Sequence, residues 1–506
     1  MQPGRLGAAI ALLTVVLLAA CGDDGEPSSS TKPLPPLQAL HATRGTNPGI
    51  FDASGRQVLL RGVNLNSLGD YFQGNPDLPS VIPLMSDDFP TMARYGLNAV
   101  RLILSWSSLQ PQPGQIDRNY IRRIHAAVDA AKAQGIYTIL DMHQDAWGKY
   151  IASPPGTVCS ATRETAIGWD GAPQWATITD GASTCRALST RELSPAVVAA
   201  FKNFYDDRDG IQTSLVNAWA TLASEFAREP AVAGYDLLNE PHFGASISTA
   251  PALLAAYSGR AIAAIRAAEH TAGGAGHIVF FEPVILWPAV DVAFSPDFTT
   301  DDNIVFAPHN YGDSINNISL ETTFAHAASD AAKYQTTFWI GEFGWFSDPP
   351  ANKDKLIRYA QQEDQLLVGG TWWQWKQACG DPHSIGHIGG TPAPQIIQFR
   401  LEGCPGDLNL GPIPEWTTVL SRPHPRAAPG RLLALVSDGD TALMRLFGMS
   451  DAPGQLDLWV PQHGSGPPIV QGEGLETPQI IAVDGGYRVL ATVSGTYQVS
   501  VSPPSS

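Results

Sequence analysis

Residues 97–144 read LNAVRLILSWSSLQPQPGQIDRNYIRRIHAAVDAAKAQGIYTILDMHQ, and this stretch decides the fold class. It opens with an apolar run of strand length, LNAVRLIL (97–104), and closes with a second one, YTILDMHQ (137–144). Between them, NYIRRIHAAVDAAKAQG (119–135) repeats apolar residues every three or four positions and ends at Gly135, a pattern typical of an amphipathic helix. A strand, a helix and a second strand in this order predict one parallel βαβ unit.

The same alternation of apolar runs and helical stretches continues along the chain. The other strand candidates are QVLLRGVNL (57–65), VAGYDLLNE (232–240), HIVFFEP (277–283), NIVFAPHNY (303–311), TTFWIGEFG (336–344) and VGGTWWQW (368–375). Eight such strands predict an α/β fold of the (β/α)8 or TIM-barrel type rather than a doubly wound sheet. Because no GxGxxG or P-loop sequence follows any strand, we expect no nucleotide cofactor.

Polar and aromatic residues stand near the carboxyl ends of six of these strands. They are Arg101, Asp141, His143, Asp145, Asn239, Glu240, His309, Tyr311, Glu342 and Trp373. The carboxyl ends of barrel strands meet at one mouth, which is where the active sites of this fold lie. A single residue of this kind can simply cap a strand, but the repetition on six strands favours a functional site.

Glu240 in LLNEP and Glu342 in WIGEFGW are far apart in sequence, so only a barrel brings them together. Paired carboxylates in unequal environments are the machinery of glycoside hydrolysis. We expect Asn239 to bind a sugar 2-hydroxyl, Arg101 to lower the pKa of the nucleophile and Trp373 to stack on a sugar ring. His309 and Tyr311 are expected to tune the carboxylates by hydrogen bonding. No metal or other cofactor is required by this chemistry.

The strings RLILSW, DMHQD, LLNEP, APHNY, GEFGW and WWQWK resemble those of glycoside hydrolase family five, a family of (β/α)8 retaining β-glycosidases. The resemblance implies that Glu240 is the acid/base and Glu342 the nucleophile. It also implies a substrate-binding shell, consisting of Arg101, Asp141, His143, Asp145, Asn239, His309, Tyr311 and Trp373.

Further strings are similar to those of bacterial endoglycoceramidases, which cut the β-bond between an oligosaccharide and ceramide. They are SWSSLQPQPG (105–114), DMHQDAWG (141–148), GAPQWATITDG (171–181) and RPHPRAAPG (422–430). The resemblance implies a glycosphingolipid substrate and double displacement. Two departures bear on the glycan: LNSLGDYFQ (65–73) has Asp70 but no sugar-contacting lysine, and the segment between Cys379 and Cys404 is longer.

These departures leave two alternatives to a ceramide glycoside. One is an endo-β-glucanase or mannanase of the same fold, which acts on a non-lipid β-glycoside. The other is a sugar-binding lipoprotein without turnover, which is disfavoured because both glutamates are present. Two apolar loop segments, SLGDYF (67–72) and FEPVILWPAV (281–290), either line a groove for lipid tails or pack inside the protein.

The N-terminal segment predicts export. Arg5 precedes an apolar run from Leu6 to Ala20 that is too short to span a bilayer, so residues 1–20 are interpreted as a signal peptide. LAAC (18–21) resembles a bacterial lipobox, which predicts a lipid anchor on Cys21 in the cell envelope; simple cleavage and extracellular release is the alternative. Residues 21–44, rich in Pro and Ser, are expected to be a flexible tether.

Four cysteines then remain for an oxidising compartment. Because loop closure favours neighbours in sequence, we predict the pairs Cys159–Cys185 and Cys379–Cys404, each stabilising the fold by about 3 kcal/mol. A zinc site is the rival interpretation, but the spacing lacks a CxxC pair.

A change of pattern marks a second domain. Residues 45–426 are assigned to the catalytic barrel, whereas residues 427–506 contain short strands separated by turn residues, which predicts a β-sandwich. The strands are RLLALV, ALMRLF, LDLWVP, IIAVDG, YRVLATV and TYQVSV. With Trp459 and Tyr487 among few aromatics expected to be exposed, we favour a structural domain docked on the barrel over a carbohydrate-binding module.

The charge balance limits the partners. The chain has 31 Lys and Arg against 48 Asp and Glu, a formal net charge of −17. Nucleic-acid binding needs clustered basic residues to neutralise phosphates, so we expect no nucleic-acid partner. A monomer is expected.

Overall fold

Eight parallel strands form the centre of the structure, a computed structural model that describes residues 34–290, 292–345, 349–383 and 412–504. In chain order the strands are β1 (Leu40–Thr43), β2 (Gly49–Asp52), β3 (Arg56–Gln57), β4 (Arg61–Leu65), β5 (Ala99–Ser105), β6 (Tyr137–His143), β7 (Arg163–Glu164), β8 (Arg186–Ala187), β9 (Val232–Asp236), β10 (Ile278–Phe281), β11 (Ile304–Phe306), β12 (Ile340–Phe343), β13 (Gly370–Trp372), β14 (His424–Pro429), β15 (Arg431–Asp438), β16 (Leu443–Pro461), β17 (Ile469–Leu475), β18 (Gln479–Val483) and β19 (Gly486–Ser502).

The helices pack around this centre. They are α1 (Asp88–Arg94), α2 (Trp106–Leu109), α3 (Arg118–Ala133), α4 (Pro195–Tyr205), α5 (Ile211–Phe226), α6 (Ala250–Thr271), α7 (Leu320–Lys333), α8 (Pro349–Leu366) and α9 (Pro414–Leu420). The helix predicted from residues 119–135 is α3, whose N-terminus is capped by the Asp117 carboxylate; the chain leaves it through Gly135 at φ +69°.

The eight predicted strands are all present and form one sheet in the order β11-β10-β9-β6-β5-β4-β13-β12. Each pair in this order is parallel, and each strand lies beside its predecessor in the barrel. Two isolated parallel bridges, Phe306 to Phe338 and Asn310 to Phe343, join the two edges of the sheet. The predicted (β/α)8 barrel is therefore confirmed.

Strand β5 shows how the sequence fills both faces of the barrel. Val100, Leu102 and Leu104 belong to the large core between the strands and the helices. The alternate positions Ala99, Arg101 and Ile103 lie on the inner face, because successive side chains of a strand point to opposite sides. All residues of β5 are buried, as expected for a strand covered on both faces, and Arg101 is thus placed inside the barrel.

The N-terminal hairpin β1–β2 closes the end of the barrel opposite the mouth. Leu40, Ala42 and Ile50 are buried in one cluster with inner-face residues such as Ala99 and Ile139. Strand β1 lies inside residues 21–44, so the prediction of a tether up to residue 44 is wrong at its C-terminal end. The apolar positions of LHAT alternate, and this alternation buries one face of β1.

The C-terminal strands form two halves that share one core. Strands β16 and β19 are long and pair with each other along most of their length, with an irregularity between Ser450 and Gly454. On one side of this irregularity β15 pairs with β16 and β17 pairs with β19. On the other side β14 pairs with β16 and β18 pairs with β19. Their inward residues, including Leu446 and Leu458, pack together, which confirms the expected sandwich.

The strand boundaries in this region differ from the prediction. ALMRLF and LDLWVP are two parts of β16, and YRVLATV and TYQVSV are two parts of β19. Strand β17 was not predicted, because its sequence IVQGEGL contains two glycines and only a short apolar segment. Strand β14 begins at His424, before the predicted boundary at residue 427.

The sandwich docks on the barrel through Trp459, so the expectation that this side chain is exposed is wrong. Trp459 is buried, and its Nε1 donates a hydrogen bond to the carbonyl oxygen of Ser421 at 2.9 Å. The ring packs on Gly96, where a Cβ atom would lie 2.2 Å from it. Arg426 donates a hydrogen bond to the Gly135 carbonyl at 2.6 Å, and Tyr487 is only partly buried. These contacts agree with a structural role for the domain.

The disulfide between Cys159 and Cys185 is present, with a Cα–Cα distance of 5.7 Å, as predicted. Cys379 is buried, but Cys404 and Cys21 lie outside the described residues, so the second pairing and the lipid anchor stay predictions. Within the described ranges, no helix is long and apolar enough to cross a membrane.

Candidate active site

The strand-end residues selected from the sequence do meet at the mouth of the barrel. Arg101 lies on β5, Asp141 and His143 on β6, and Glu342 on β12. The others follow a strand end, and they are Asp145, Asn239, Glu240, His309, Tyr311 and Trp373. The convergence predicted from barrel geometry is therefore observed.

Arg101 is the centre of this network. Its guanidinium is fully buried and contacts four carboxylates at 2.8–3.0 Å, those of Asp141, Asp236, Glu282 and Glu342. Burial by itself lowers the pKa of Arg101, but the four negative charges raise this pKa well above its usual value. The planar guanidinium fixes several carboxylates at once, which a lysine ammonium would do less well.

Glu342 has both oxygens bonded. Oε1 accepts a hydrogen bond from Arg101 at 2.8 Å, and Oε2 accepts one from the Tyr311 hydroxyl at 2.8 Å. Burial raises the pKa of Glu342, whereas the charges of His309 and Arg101 lower it. Arg101 acts in the predicted direction, but the net pKa of Glu342 lies above its ordinary value because burial outweighs the cations.

Glu240 has a different set of partners. Its Oε1 lies 3.0 Å from His309 Nδ1, and its Oε2 lies 3.1 Å from Arg191 Nη2. Burial raises the pKa of Glu240, but the hydrogen bond and charge of His309 together with the charge of Arg191 bring this pKa below its ordinary value.

The backbone of Glu240 is in the left-handed region, at φ +38°, which is uncommon for a residue with a side chain. Two contacts hold it there. The amide of Glu240 donates a hydrogen bond to Glu282 Oε2 at 2.8 Å, and Gln144 Nε2 donates to the Glu240 carbonyl at 3.0 Å. The orientation of the Glu240 side chain is thus determined by neighbouring strand ends.

The two glutamates are close together with His309 beside both. One oxygen of Glu240, one oxygen of Glu342 and a ring nitrogen of His309 all lie within 4.8 Å of one another. His309 Nδ1 is 3.5 Å from Glu342 Oε2, and its Nε2 is 3.4 Å from Glu282. Burial lowers the pKa of His309, but Glu282, Glu342 and Glu240 raise it well above its ordinary value.

His143 lies between the carboxylate of Asp141 and the indole ring of Trp373. Its Nδ1 is 2.7 Å from Asp141 Oδ2, and its ring stacks on Trp373 at 5.4 Å between centroids. Trp373 is therefore the tryptophan of the WWQW run that faces the site. Its neighbours Trp372 and Trp375 belong to the outer core.

Asn239 lies between two partners. Its Oδ1 accepts a hydrogen bond from Arg101 at 3.0 Å, and its Nδ2 donates to the Gln144 carbonyl at 3.1 Å. Asp145 is also tightly held: Arg191 Nη2 is 2.5 Å from its Oδ1, and His383 Nε2 bonds to its Oδ2. The Asp145 and Asp381 charges outweigh burial and raise the pKa of His383 to about 10.

Several residues of the site were missed by the sequence analysis. Asn64, Asp236 and Glu282 lie in or directly after barrel strands, so the strand-end rule would have found them. Arg191 and His383 lie in long loops, where no periodic pattern signals a functional side chain.

Asp70, in the segment 65–73 that has no lysine, pairs with a lysine from elsewhere in the sequence. Lys149 Nζ lies 2.7 Å from Asp70 Oδ1, and Ser107 donates a hydrogen bond to the other carboxylate oxygen at 2.6 Å. An ammonium group is thus supplied by the loop after β6, on a different barrel unit.

The two apolar loop segments are mostly buried. Leu68 and Tyr71 in the first segment are buried, as are Val284 and Trp287 in the second, whereas Val290 is exposed. These observations favour loop packing over an open groove along the whole length of either segment.

Among the residues that the structure describes, three groups of side chains have the atom spacing of metal ligands: His143, Asp145 and His383; Glu240, His309 and Glu342; and Asp141, Asp236 and Glu282. Arg101 contacts all three carboxylates of the last group, and Arg191 contacts Asp145 in the first. A guanidinium therefore already supplies positive charge in two of these groups.

Comparison with known families assigns the fold and the chemistry. The family model described as cellulase, glycosyl hydrolase family 5, matches residues 51–379, which is more than half of the chain. The chain belongs to glycosyl hydrolase family 5. It is accordingly a glycoside hydrolase, as the sequence analysis predicted.

This family 5 hydrolase is similar to solved and curated proteins with related names. It is 42% identical to a solved endogalactoceramidase, with a TM-score of 0.84 and coverage of 92% of this chain and 100% of the other. Endo-glycoceramidase II from Rhodococcus sp., solved as a lactosyl-enzyme intermediate, is 25% identical, with a TM-score of 0.70 and coverage of 90% and 99%. Endoglycoceramidase I of Rhodococcus hoagii is 28% identical over 391 residues, 71% of this chain and 72% of the relative.

Proposed function

We propose that this protein is a retaining β-glycosidase that hydrolyses the bond between an oligosaccharide and ceramide in glycosphingolipids. The observation that carries the mechanism is the proximity of Glu240 and Glu342, which have one oxygen each within 4.8 Å. Retaining glycosidases hold their carboxyl groups about 5–5.5 Å apart, whereas inverting ones need about 6.5–9.5 Å to admit a water molecule.

Glu342 is the nucleophile and Glu240 the acid/base in this proposal. Glu342 attacks the anomeric carbon and forms a glycosyl ester, while Glu240 gives its proton to the oxygen of the leaving aglycone. In the second step Glu240 takes a proton from water, whose oxygen attacks the anomeric carbon and releases Glu342. Arg101 and Tyr311 orient the Glu342 carboxylate for attack, because each bonds a different oxygen.

The relatives support ceramide as the aglycone. The solved protein at 42% identity is named an endogalactoceramidase, and the other two relatives are named endoglycoceramidases. The higher identity to the first favours galactose as the sugar joined to ceramide. The family description as cellulase keeps a β-glucan as a second candidate substrate.

Product analysis tests the substrate. The enzyme lacking residues 1–21 is incubated with galactosylceramide-linked and glucosylceramide-linked oligosaccharides and with β-glucans, and the products are identified by mass spectrometry. We expect intact oligosaccharide and ceramide, with the galactose-linked substrate cut faster. Cleavage of the glucans alone would refute the ceramide proposal and leave the mechanism standing.

Azide rescue tests the two roles. Glu342→Gly with azide should form a glycosyl azide of inverted configuration, since azide replaces the nucleophile. Glu240→Ala should form the azide of retained configuration on a substrate with a good leaving group, because the nucleophile is intact. Glu225→Gln, a surface carboxylate that pairs with Arg118, is the control and should keep full activity. Exchanged product configurations would reverse the assignment.

We also propose that the protein is exported and anchored by lipid on Cys21. The support is the short apolar run before LAAC (18–21). Radiolabelled palmitate should label the wild-type protein in a bacterial host, and Cys21→Ala should lose the label and leave the membrane fraction. Equal labelling of both proteins would overturn the assignment.

A further inference from the structure

The residue that links the substrate-binding carboxylates to Glu240 is Arg191, which lies on the loop between β8 and α4. The loop is fixed at Cys185 by the disulfide to Cys159. The Arg191 guanidinium lies 4.5 Å over the ring of Trp169, and its side chain remains 21% exposed. It therefore has a supporting surface and is partly exposed to solvent.

One nitrogen of Arg191 contacts two functional carboxylates. Nη2 is 2.5 Å from Asp145 Oδ1 and 3.1 Å from Glu240 Oε2, while Nε bonds to Glu192. Because Nη2 bridges Asp145 and Glu240, a group that binds Asp145 competes with one of the two contacts that hold Nη2 beside Glu240.

Each oxygen of the Glu240 carboxylate has one cationic or ring-nitrogen neighbour. Oε1 is bonded to His309 and Oε2 to Arg191. An acid catalyst must carry a proton for the leaving group, and a guanidinium charge in contact with Oε2 disfavours the protonated form of Glu240. The His309 side chain is 7% exposed and also contacts Glu342, whereas the Arg191 side chain belongs to a loop and is 21% exposed. Arg191 is thus the partner that can leave.

We propose that Arg191 is a positioning residue that keeps Glu240 ionised in the free enzyme, and that a sugar hydroxyl bound to Asp145 displaces it so that Glu240 takes up the proton needed for the leaving group. The inference rests on the proposed function, because it assigns Glu240 to acid catalysis. The proton comes from solvent and passes to the leaving oxygen as the bond between that oxygen and the anomeric carbon breaks and the ester to Glu342 forms. In the second step Glu240 takes a proton from the attacking water as the ester breaks. This proton returns to solvent when the sugar leaves and Arg191 contacts Glu240 again.

The expected pKa of Glu240 depends on its charged neighbours. His309 faces it from the segment after β11, Glu282 from the end of β10, Asp145 from the segment after β6, and Glu342 from β12. Glu192 faces it from the same loop as Arg191. All of these groups remain when Arg191 is replaced. An opposite charge in contact lowers a carboxyl pKa by about 1–3 units, so loss of Arg191 should raise the pKa of Glu240 by that amount.

A direct titration tests the free enzyme. The protein is labelled with glutamate carrying ¹³C at the side-chain carboxyl, and the Glu240 signal is assigned with Glu240→Gln. Arg191→Gln should move the Glu240 pKa up by about 1–3 units. Arg186→Gln is the matched control, because Arg186 lies on β8, directly before this loop, and bonds Glu164 instead. An unchanged Glu240 pKa in Arg191→Gln overturns the proposal even if no glycoside is hydrolysed.

Kinetics test the displacement. With an aryl β-glycoside whose leaving group is phenol, the basic limb of kcat/KM reports the free enzyme and that of kcat reports the complex. In the wild type the kcat limb should lie at higher pH than the kcat/KM limb, and in Arg191→Gln the two limbs should coincide at the higher pH. Coincident limbs in the wild type would show that binding does not displace Arg191.

Two further results separate the possible failures. If Arg191→Gln does not fold, Arg191→Lys is titrated instead. Its ammonium keeps the charge but not the planar contact to both carboxylates, so the pKa of Glu240 should rise above the wild-type value by less than the full rise of about 1–3 units. A Glu240 pKa no higher than in the wild type would contradict the proposal. Absence of all glycosidase activity in the wild type would refute the proposed function, while the titration of Glu240 still decides the role of Arg191.

Discussion

Replacing Arg101 by Met should destabilise the protein in a manner that depends on pH. The guanidinium is the common partner of Asp141, Asp236, Glu282 and Glu342, and all four contacts are 2.8–3.0 Å long in a fully buried setting. Methionine fills a similar volume but supplies no charge, so four buried carboxylates would lose their shared cation. Removing one partner of a buried ion pair costs about 3–5 kcal/mol, and we expect at least this loss at pH 7.

The pH dependence follows from the sign of the carboxyl pKa shifts. Burial already raises the pKa of Asp236 well above its ordinary value while Arg101 is present, with the neighbouring carboxylates adding to the rise. Without Arg101 the pKa values rise further, so the native state binds more protons than the unfolded state. A carboxyl group whose pKa is higher in the folded state than in the unfolded state stabilises the protein at low pH. This contribution is lost as the pH rises. For one additional proton the slope is about 1.4 kcal/mol per pH unit, or about 2.7 kcal/mol between pH 5 and 7.

Urea denaturation followed by tryptophan fluorescence at pH 5, 6 and 7 measures this dependence. The difference in unfolding free energy between wild type and Arg101→Met should shrink as the pH falls. Arg94→Met is the control for loss of a cation, because Arg94 pairs with Asp484 at the surface and should cost less than about 1 kcal/mol at every pH. A constant difference between wild type and Arg101→Met from pH 5 to 7 would refute the reasoning.

Three further outcomes are expected. Replacing Cys159 and Cys185 together by Ala should lower the unfolding free energy by about 3–4 kcal/mol in urea titrations, because the bond closes a loop with a sequence separation of 26. Trp459→Ala should cost about 3–5 kcal/mol in the same assay, and Tyr487→Ala clearly less, since only Trp459 is fully buried. Tyr311→Phe removes a donor from the Glu342 carboxylate, so the pKa of Glu342 should rise and the acidic limb of the kcat/KM profile should move up by about 1 pH unit.

The part of the site predicted from the sequence is the part that barrel geometry positions. Arg101 and Glu342 were predicted because both stand near the carboxyl end of an apolar run of strand length. The same rule applies to Glu282, which directly follows β10 and was overlooked among the apolar residues of FEPVILWPAV. Strand periodicity and parallel topology are local enough to be read from the order of residues.

The site residues that the sequence did not predict are positioned by the paths of long loops. Arg191 reaches Glu240 only because the segment before it is held by the disulfide and passes over Trp169. Likewise, Trp459 was expected to be exposed, since its strand pattern does not show that the barrel covers one side of the sandwich. In both cases the position of the side chain is fixed by contacts between segments that are distant in sequence. Such contacts produce no periodic pattern in the sequence.

The two glutamates also differ in whether their arginine partner lies on a strand or on a loop. Glu342 is bonded by Arg101 from β5, which is buried and contacts four carboxylates at once, so its cation cannot leave without a large cost in stability. Glu240 is bonded by Arg191 from a loop with solvent access, so its cation can leave when a sugar arrives. A nucleophile must stay oriented and ionised at the moment of attack, whereas an acid/base must gain and lose a proton in each cycle. A rigid partner suits the first role and a displaceable partner suits the second.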